Sequence, residues 1–238
     1  MADDLLRRFA ARPDLAAVLL DVDGVLAPIV ERPEDARVPD ETRDELARLA
    51  ARYRLVACVS GRPSAQVEAL VGIEGIAVVG EHGLELAPDA PAWAERVAAF
   101  ARGVDWPAEQ KALSVSFHFR RADDEAVARA YLTRVAEAAA AEGLVPRWGR
   151  MVLEVRPPVE AHKGTAVRAL VARAGVSRAL YAGDDTTDLD AFAGLGAAGL
   201  EVAVRVAVDS GEAPAGLREA ADVVVDGPAG VLALLRSL

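Results

Sequence analysis

The chain has 238 residues, 53% of them hydrophobic, and a formal charge of −10 from 37 Asp+Glu against 27 Lys+Arg. That length accommodates one large α/β domain or a core carrying an insertion, and the apolar fraction can fill a core without disulfides or a structural metal. The acidic balance argues against nucleic acid or an anionic membrane as partner, and the lone Cys58 excludes an intramolecular disulfide and suits a reducing cytoplasm. No basic N-terminal segment leads into an apolar stretch, and the longest apolar runs are strand-sized. Neither a signal peptide nor a membrane span is therefore expected. An acidic protein can still take an anion where local cations, a metal or backbone N–H groups overcome its own field.

In chain order, Ala16 to Leu20 is a short apolar run that stops at Asp-Val-Asp-Gly, the pattern of a fully buried parallel strand opening into a loop. Residues 40–52 read as a helix with Asp40 as cap and Leu46 and Leu49 on one face. Leu55 to Val59 is a second buried strand, ending at Ser60-Gly61-Arg62-Pro63, and a short helix follows from Ser64 to Val71. Ile76 to Val79 is a third strand, stopped by Gly80-Glu81-His82-Gly83. The rhythm then changes. Pro88 and Pro91 mark a boundary, Trp93 to Arg102 reads as helix, and Leu113 to Phe119 alternates like a half-exposed strand. A long Ala-rich helix runs from Asp123 to Ala141 and ends at Gly143. Arg147, Trp148 and Arg150 read as a hairpin tip, and Met151 to Val155 as the strand after it. From Lys163 the alternation of helix and buried strand resumes: helix to Ala174, strand Ala179 to Ala182, a helix opened by Gly183-Asp184-Asp185, then strands Val202 to Val208 and Val223 to Val225.

These elements predict an α/β fold: a Rossmann-like parallel sheet with helices on both faces, interrupted by an inserted α+β module. The expected boundaries are residues 1–87 with 157–238 for the core and 88–156 for the insertion. Three buried strands end in polar clusters, Asp21/Asp23, Ser60 and Asp184/Asp185. Ligands bind at the carboxyl ends of such strands, so the clusters converge on one crevice. Carboxylates meeting there repel one another, and oxygen ligands without His or Cys favour Mg²⁺. Any single Asp pair could instead cap a helix or turn; recurrence at several strand ends favours a site.

Asp21-Val22-Asp23-Gly24-Val25-Leu26 resembles the first motif of the haloacid dehalogenase superfamily. Ser60, Lys163 and Gly183-Asp184-Asp185-Thr186-Thr187-Asp188 resemble its second, third and fourth motifs, in the same order. The resemblance implies a HAD-like core with a C2-type cap and a covalent mechanism. Asp21 would attack phosphorus and Asp23 would act as general acid and then base. Ser60 and Lys163 would hold the phosphoryl oxygens, with Gly61 and Arg62 beside them on substrate. Mg²⁺ would be bound by Asp21, Asp23, Asp184 and Asp188, with Asp185 behind them or capping the helix. Val25 stands where many relatives carry Thr, a departure the superfamily pattern accommodates.

The segments Glu81-His82-Gly83, Lys111, His118-Phe119-Arg120 and Glu154 to Lys163-Gly164 resemble the trehalose-6-phosphate phosphatases. The resemblance implies a sugar phosphate, trehalose 6-phosphate first, read by Glu81 and Glu154 as acceptors and by Lys111, His118 and Arg120 as donors. Phe119, Gln110 and His162 depart from residues common in that family and could retune the preference. Alternatives are another sugar or pseudo-disaccharide phosphate, a phosphomutase using the same nucleophile, or a non-catalytic sugar-phosphate sensor; a sensor would be expected to have lost Asp21 or Asp23. Two patterns mislead. Lys163-Gly164-Thr165 lacks the preceding glycine of a P-loop, and Gly194-Leu195-Gly196-Ala197-Ala198-Gly199 follows a helix, where a dinucleotide fingerprint should follow a strand.

Overall fold

The computed structural model describes residues 2–30, 32–149, 151–209 and 213–238. In chain order the elements are α1 (Ala2–Ala10), β1 (Ala16–Leu20), α2 (Asp40–Arg52), β2 (Leu55–Val59), α3 (Ser64–Val71) and β3 (Ala77–Val79). Then come α4 (Ala94–Arg102), β4 (Glu109–Gln110), β5 (Val115–His118), α5 (Glu125–Ala141), β6 (Val145–Gly149) and β7 (Val152–Arg156). The chain closes with α6 (Lys163–Ala174), β8 (Arg178–Gly183), α7 (Thr187–Gly196), β9 (Val202–Asp209), α8 (Ala215–Ala220), β10 (Val223–Asp226) and α9 (Gly227–Ser237). Two compact units result: Met1–Gly83 with Ala161–Leu238, and Leu84–Glu160.

The first unit holds a parallel sheet in the order β10-β9-β8-β1-β2-β3. From β1 the chain steps outward to β2 and β3, then returns to lay β8 on the other side of β1 and steps outward again. The order thus reverses between β1 and β8, and that reversal opens a crevice at the carboxyl ends of those two strands. Val18, Leu20, Val56, Cys58, Leu180 and Ala182 turn to one face, where Phe9 of α1, Leu46 and Leu49 of α2, and Val231 and Leu235 of α9 cover them. The residues between them point the other way: Tyr181 meets Phe192 of α7 edge to face, with ring centroids 6.2 Å apart. Burial on both faces explains why β1 shows no polar alternation. Each fully buried Leu or Val here contributes roughly 1.5–3 kcal/mol.

Helices α6 and α7 approach closely at two glycines. A Cβ on Gly194 would stand 2.3 Å from the Gly164 carbonyl oxygen. Gly194, the first glycine of the misleading dinucleotide pattern, therefore serves helix packing. Asp40 begins α2 and Pro39 holds the capping position without a side-chain bond, so Asp40 is a first-turn charge, paired with Arg43 at 3.7 Å, and not the cap.

The second unit is an antiparallel sheet in the order β4-β5-β7-β6. Val115, Phe117, Phe119, Leu153 and Val155 form its core face with Val97 and Phe100 of α4 and Leu132, Val135 and Ala139 of α5. Asp124 caps α5 by accepting from the Val127 N–H at 3.0 Å. The expectation of a half-exposed β5 needs correction, because Ser114 and Ser116 on the polar face are 0% and 2% exposed. These short side chains lie among the longer Lys111, Glu154 and Arg156, and the Ser114 hydroxyl donates to Glu154 at 3.2 Å. Arg147 and Trp148 also stand inside a strand, β6, paired with Glu154 and Leu153, and Met151 (φ 57°) sits in the turn. Arg150 lies outside the described residues.

Candidate active site

Asp21 directly follows β1, where its N–H still donates to the Ala182 carbonyl of β8 at 2.9 Å. The side chain is therefore fixed at the mouth of the crevice, only 5% exposed, with one oxygen accepting from the Val22 N–H at 2.7 Å. The other oxygen accepts from Lys163 Nζ at 2.5 Å. Lys163, the first residue of α6, is 1% exposed and donates also to Asp188 at 2.7 Å.

Asp188, in the first turn of α7, is wholly buried. Its Oδ1 takes Lys163 Nζ and the Tyr181 hydroxyl, each at 2.7 Å, and its Oδ2 takes the N–H groups of Asp184 and Asp185 at 2.8 and 3.0 Å. Asp188 thus braces both the lysine and the loop that carries two more carboxylates. Tyr181 belongs to this constellation although its sequence context shows only a buried strand; nothing short of the tertiary structure marks its hydroxyl. Asp185 accepts from the Thr187 N–H and hydroxyl at 2.7 and 2.6 Å, a turn two residues ahead of α7, whose capping position is Thr186.

Carboxylate oxygens of Asp21, Asp185 and Asp188 lie within 4.8 Å of one another, a group that could hold a metal ion. The expected metal set was Asp21, Asp23, Asp184 and Asp188, with Asp185 behind; in the structure Asp185 stands with Asp21 and Asp188. Asp184 packs against the turn after β1: a Cβ on Gly24, whose φ is +76°, would stand 2.0 Å from its Oδ2. The Gly24 turn lets that carboxylate approach the Asp21 loop. Asp23 is held elsewhere, both its oxygens accepting from Arg62 at 2.7 Å.

The electrostatics fit a cation. Burial raises the Asp21 carboxyl well above its ordinary range; Lys163 opposes this, while Asp188, Asp185 and Asp184 add to it. Burial likewise raises Asp188, against Lys163. Burial works against the charge on Lys163, yet Asp188, Asp21 and Asp185 more than offset it and hold the ammonium protonated. Asp185 is lowered on balance, burial being outweighed by Lys163 and the Thr187 bonds. One buried ammonium among four carboxylates leaves a surplus of negative charge, and a hard divalent cation on oxygen ligands answers it.

The loops after β2 and β3 form the opposite wall. Ser60 is 1% exposed, and its Oγ accepts from the Arg62 N–H at 3.2 Å, which leaves the hydroxyl proton to donate. The Arg62 carbonyl accepts from the Glu81 N–H and the Ser60 carbonyl from the His82 N–H, at 3.0 and 2.9 Å. Glu81 and His82 adopt φ of 48° and 54°, left-handed backbone that costs about 1–3 kcal/mol per residue and is held only where the surroundings over-determine it. Gly61 is required here, because a Cβ would stand 2.5 Å from the His82 ring. Glu81 is fully buried.

The remaining predicted residues belong to the second unit. Lys111 and Glu154 form an ion pair at 3.2 Å, with Arg156 3.8 Å from the second Glu154 oxygen. His118 pairs with Glu109 at 2.7 Å and lies, like Glu154, on the polar face of the sheet. Arg120 is exposed in the turn after β5. Arg156, 4% exposed, is a member of this polar face that residue type and spacing did not single out.

Comparison with known proteins agrees with this arrangement. Residues 19–219 match the family model described as trehalose-phosphatase. A trehalose-phosphate phosphatase of Mycobacterium marinum is 35% identical over 224 residues, which cover 84% of this chain and 57% of that protein. The C-terminal domain of the Candida albicans trehalose-6-phosphate phosphatase superposes with a TM-score of 0.75 at 23% identity, covering 98% of this chain and 94% of that one. A haloacid dehalogenase-like hydrolase from Bacteroides thetaiotaomicron superposes at 0.62 with 15% identity, over 94% of this chain and 99% of that one. The chain spans between 16% and 62% of the length of the curated relatives at the head of the comparison.

Proposed function

Since this chain belongs to the trehalose-phosphatase family, we propose that it hydrolyses trehalose 6-phosphate to trehalose and phosphate through a phosphoryl group carried on Asp21. The observation that carries this reading is the buried Lys163–Asp21 contact at 2.5 Å, at the strand-order reversal and among surplus carboxylates. In the first step an Asp21 oxygen forms a bond to phosphorus as the phosphorus–ester oxygen bond breaks, and Asp23 gives its proton to the leaving sugar oxygen. In the second step Asp23 takes a proton from water, whose oxygen bonds to phosphorus, and the Asp21 carboxylate departs. Lys163 and Ser60 steady the phosphoryl oxygens where charge develops. Asp188 and Tyr181 keep Lys163 aimed.

Mg²⁺ is the cation this donor set suits, held by Asp21 with Asp184, Asp185 and Asp188, and it would neutralise charge on the phosphoryl oxygens. Asp23, committed to Arg62, serves proton transfer in this scheme. The inserted unit, residues 88–156, acts as the cap, and its Lys111, His118, Arg120 and Glu154 read sugar hydroxyls; Glu81 is the acceptor that the core unit offers. A cytoplasmic site of action suits the buried thiol of Cys58; among the described residues no helix is long and apolar enough to cross a membrane.

The test is phosphate release from trehalose 6-phosphate beside a panel of other sugar phosphates, with EDTA and Asp21→Asn as controls. Release confined to trehalose 6-phosphate and lost in both controls is expected. Release from a different sugar phosphate alone would overturn the substrate and leave the mechanism. Undiminished release by Asp21→Asn would overturn the mechanism.

A further inference from the structure

Resting on the assignment of Asp23 as the proton-transfer group, we infer that Arg62 is a positioning residue that acts through Asp23 and is not a reader of the substrate. The bonds that fix this pair point that way. Both Asp23 oxygens accept from Arg62, one from Nε and one from Nη2, each at 2.7 Å, the planar fork-to-fork match of guanidinium and carboxylate. The third arm, Nη1, donates to the Pro33 carbonyl at 3.0 Å, so the guanidinium is fixed from two sides. The Arg62 side chain is 15% exposed while Asp23 is 40% exposed, so it is the carboxylate that faces outward.

The backbone beneath is equally constrained. The Arg62 N–H donates to Ser60 Oγ, and its carbonyl accepts from Glu81 in its left-handed conformation. The base of the fork is thereby tied to the phosphoryl-binding serine and to the loop after β3. Asp23 itself immediately precedes the turn at Gly24, whose φ is 76°. A carboxylate that must reach the leaving oxygen and later a water needs a fixed orientation, since about 1 Å of misplacement can cost on the order of 10²-fold. The fork supplies that orientation. A lysine could not, because a point charge has no planar match.

The experiment is a double-mutant cycle with Arg62→Ala and Asp23→Asn, measured on whichever sugar phosphate the wild-type chain hydrolyses fastest in a panel. Arg62→Ala is expected to lower kcat by about 10²-fold, within the range for proton transfer by a side chain, and to leave KM within about twofold. In the Asp23→Asn background the same substitution is expected to cost less than about threefold, because the group it orients is gone. Added guanidinium ion should restore part of the kcat of Arg62→Ala but none in the double variant, a rescue that a folding defect would not show. A raised KM at unchanged kcat, or losses that multiply in the double variant, would overturn the inference in favour of substrate contact. Full activity of Asp23→Asn alone would instead overturn the proton-transfer assignment, and with it the premise.

Discussion

Replacing Tyr181 by Phe tests whether the buried network behind Lys163 is as connected as it looks. The substitution removes one oxygen from a wholly buried side chain and keeps the ring that packs on Phe192. Burial and the neighbouring Asp188 push the Tyr181 hydroxyl well above its ordinary range, so it is a donor at every working pH. It donates at 2.7 Å to an Asp188 oxygen that also receives Lys163. A hydrogen bond to a charged group contributes roughly 1.5–3 kcal/mol, and the phenylalanine recovers part of this by sparing the hydroxyl its desolvation. A net loss of about 2 kcal/mol should lower the Tm by about 4–8 °C for a chain of this size. Thermal unfolding in EDTA is the assay, so that a bound cation does not mask the change. Three donors to Asp188 remain, Lys163 and the N–H groups of Asp184 and Asp185, so kcat should fall by less than about tenfold. A Tm lowered by under about 1 °C would refute the energetic reasoning. An unchanged Tm with a collapse of kcat would show that Tyr181 belongs to the chemistry and not to the bracing.

Two further outcomes follow, one from the same carboxylates and one from the inserted unit. An acid whose folded pKa lies above its unfolded value binds protons more tightly when folded. For Asp21 and Asp188 that opens a window upward from 3.8 in which metal-free stability falls as pH rises. A cation binds the ionised carboxylates and reverses that loss, so the Tm gain from a fixed excess of Mg²⁺ should be larger at pH 8 than at pH 5; an equal or larger gain at pH 5 would contradict the proposed ligands. In the inserted unit, Glu154→Gln should raise KM for trehalose 6-phosphate by about tenfold while leaving hydrolysis of p-nitrophenyl phosphate unchanged; a matched loss on both substrates would remove Glu154 from sugar recognition.

Much of the core was legible in the sequence because its signals are local. The unbroken apolar run of β1, its stop at Asp21, and the helix spans of α2, α3 and α6 follow from residue-by-residue preference and from burial on both sheet faces. The same locality fails in the inserted unit. β5 alternates as a half-exposed strand should, yet Ser114 and Ser116 are buried, since long charged neighbours on adjoining segments enclose them. Trp148 reads as a turn and stands in β6, because pairing with β7 and not intrinsic preference decided it.

At the site, the sequence by itself determined which groups arrive at the crevice: Asp21, Ser60, Lys163 and the Asp184–Asp188 loop each end or begin an element, and chain order fixes those ends. Only the tertiary structure decided which of them touch. It joined Tyr181, hidden in an apolar strand, to Asp188; it set Asp185 beside Asp21; and it gave Asp23 to an arginine 39 positions away. The physical reason is one of range. An apolar pattern is set by neighbours a few residues apart, whereas an ion pair or a buried hydrogen bond forms between whichever groups the packed sheet brings within 3 Å, and that distance is fixed only when every strand and helix is in place.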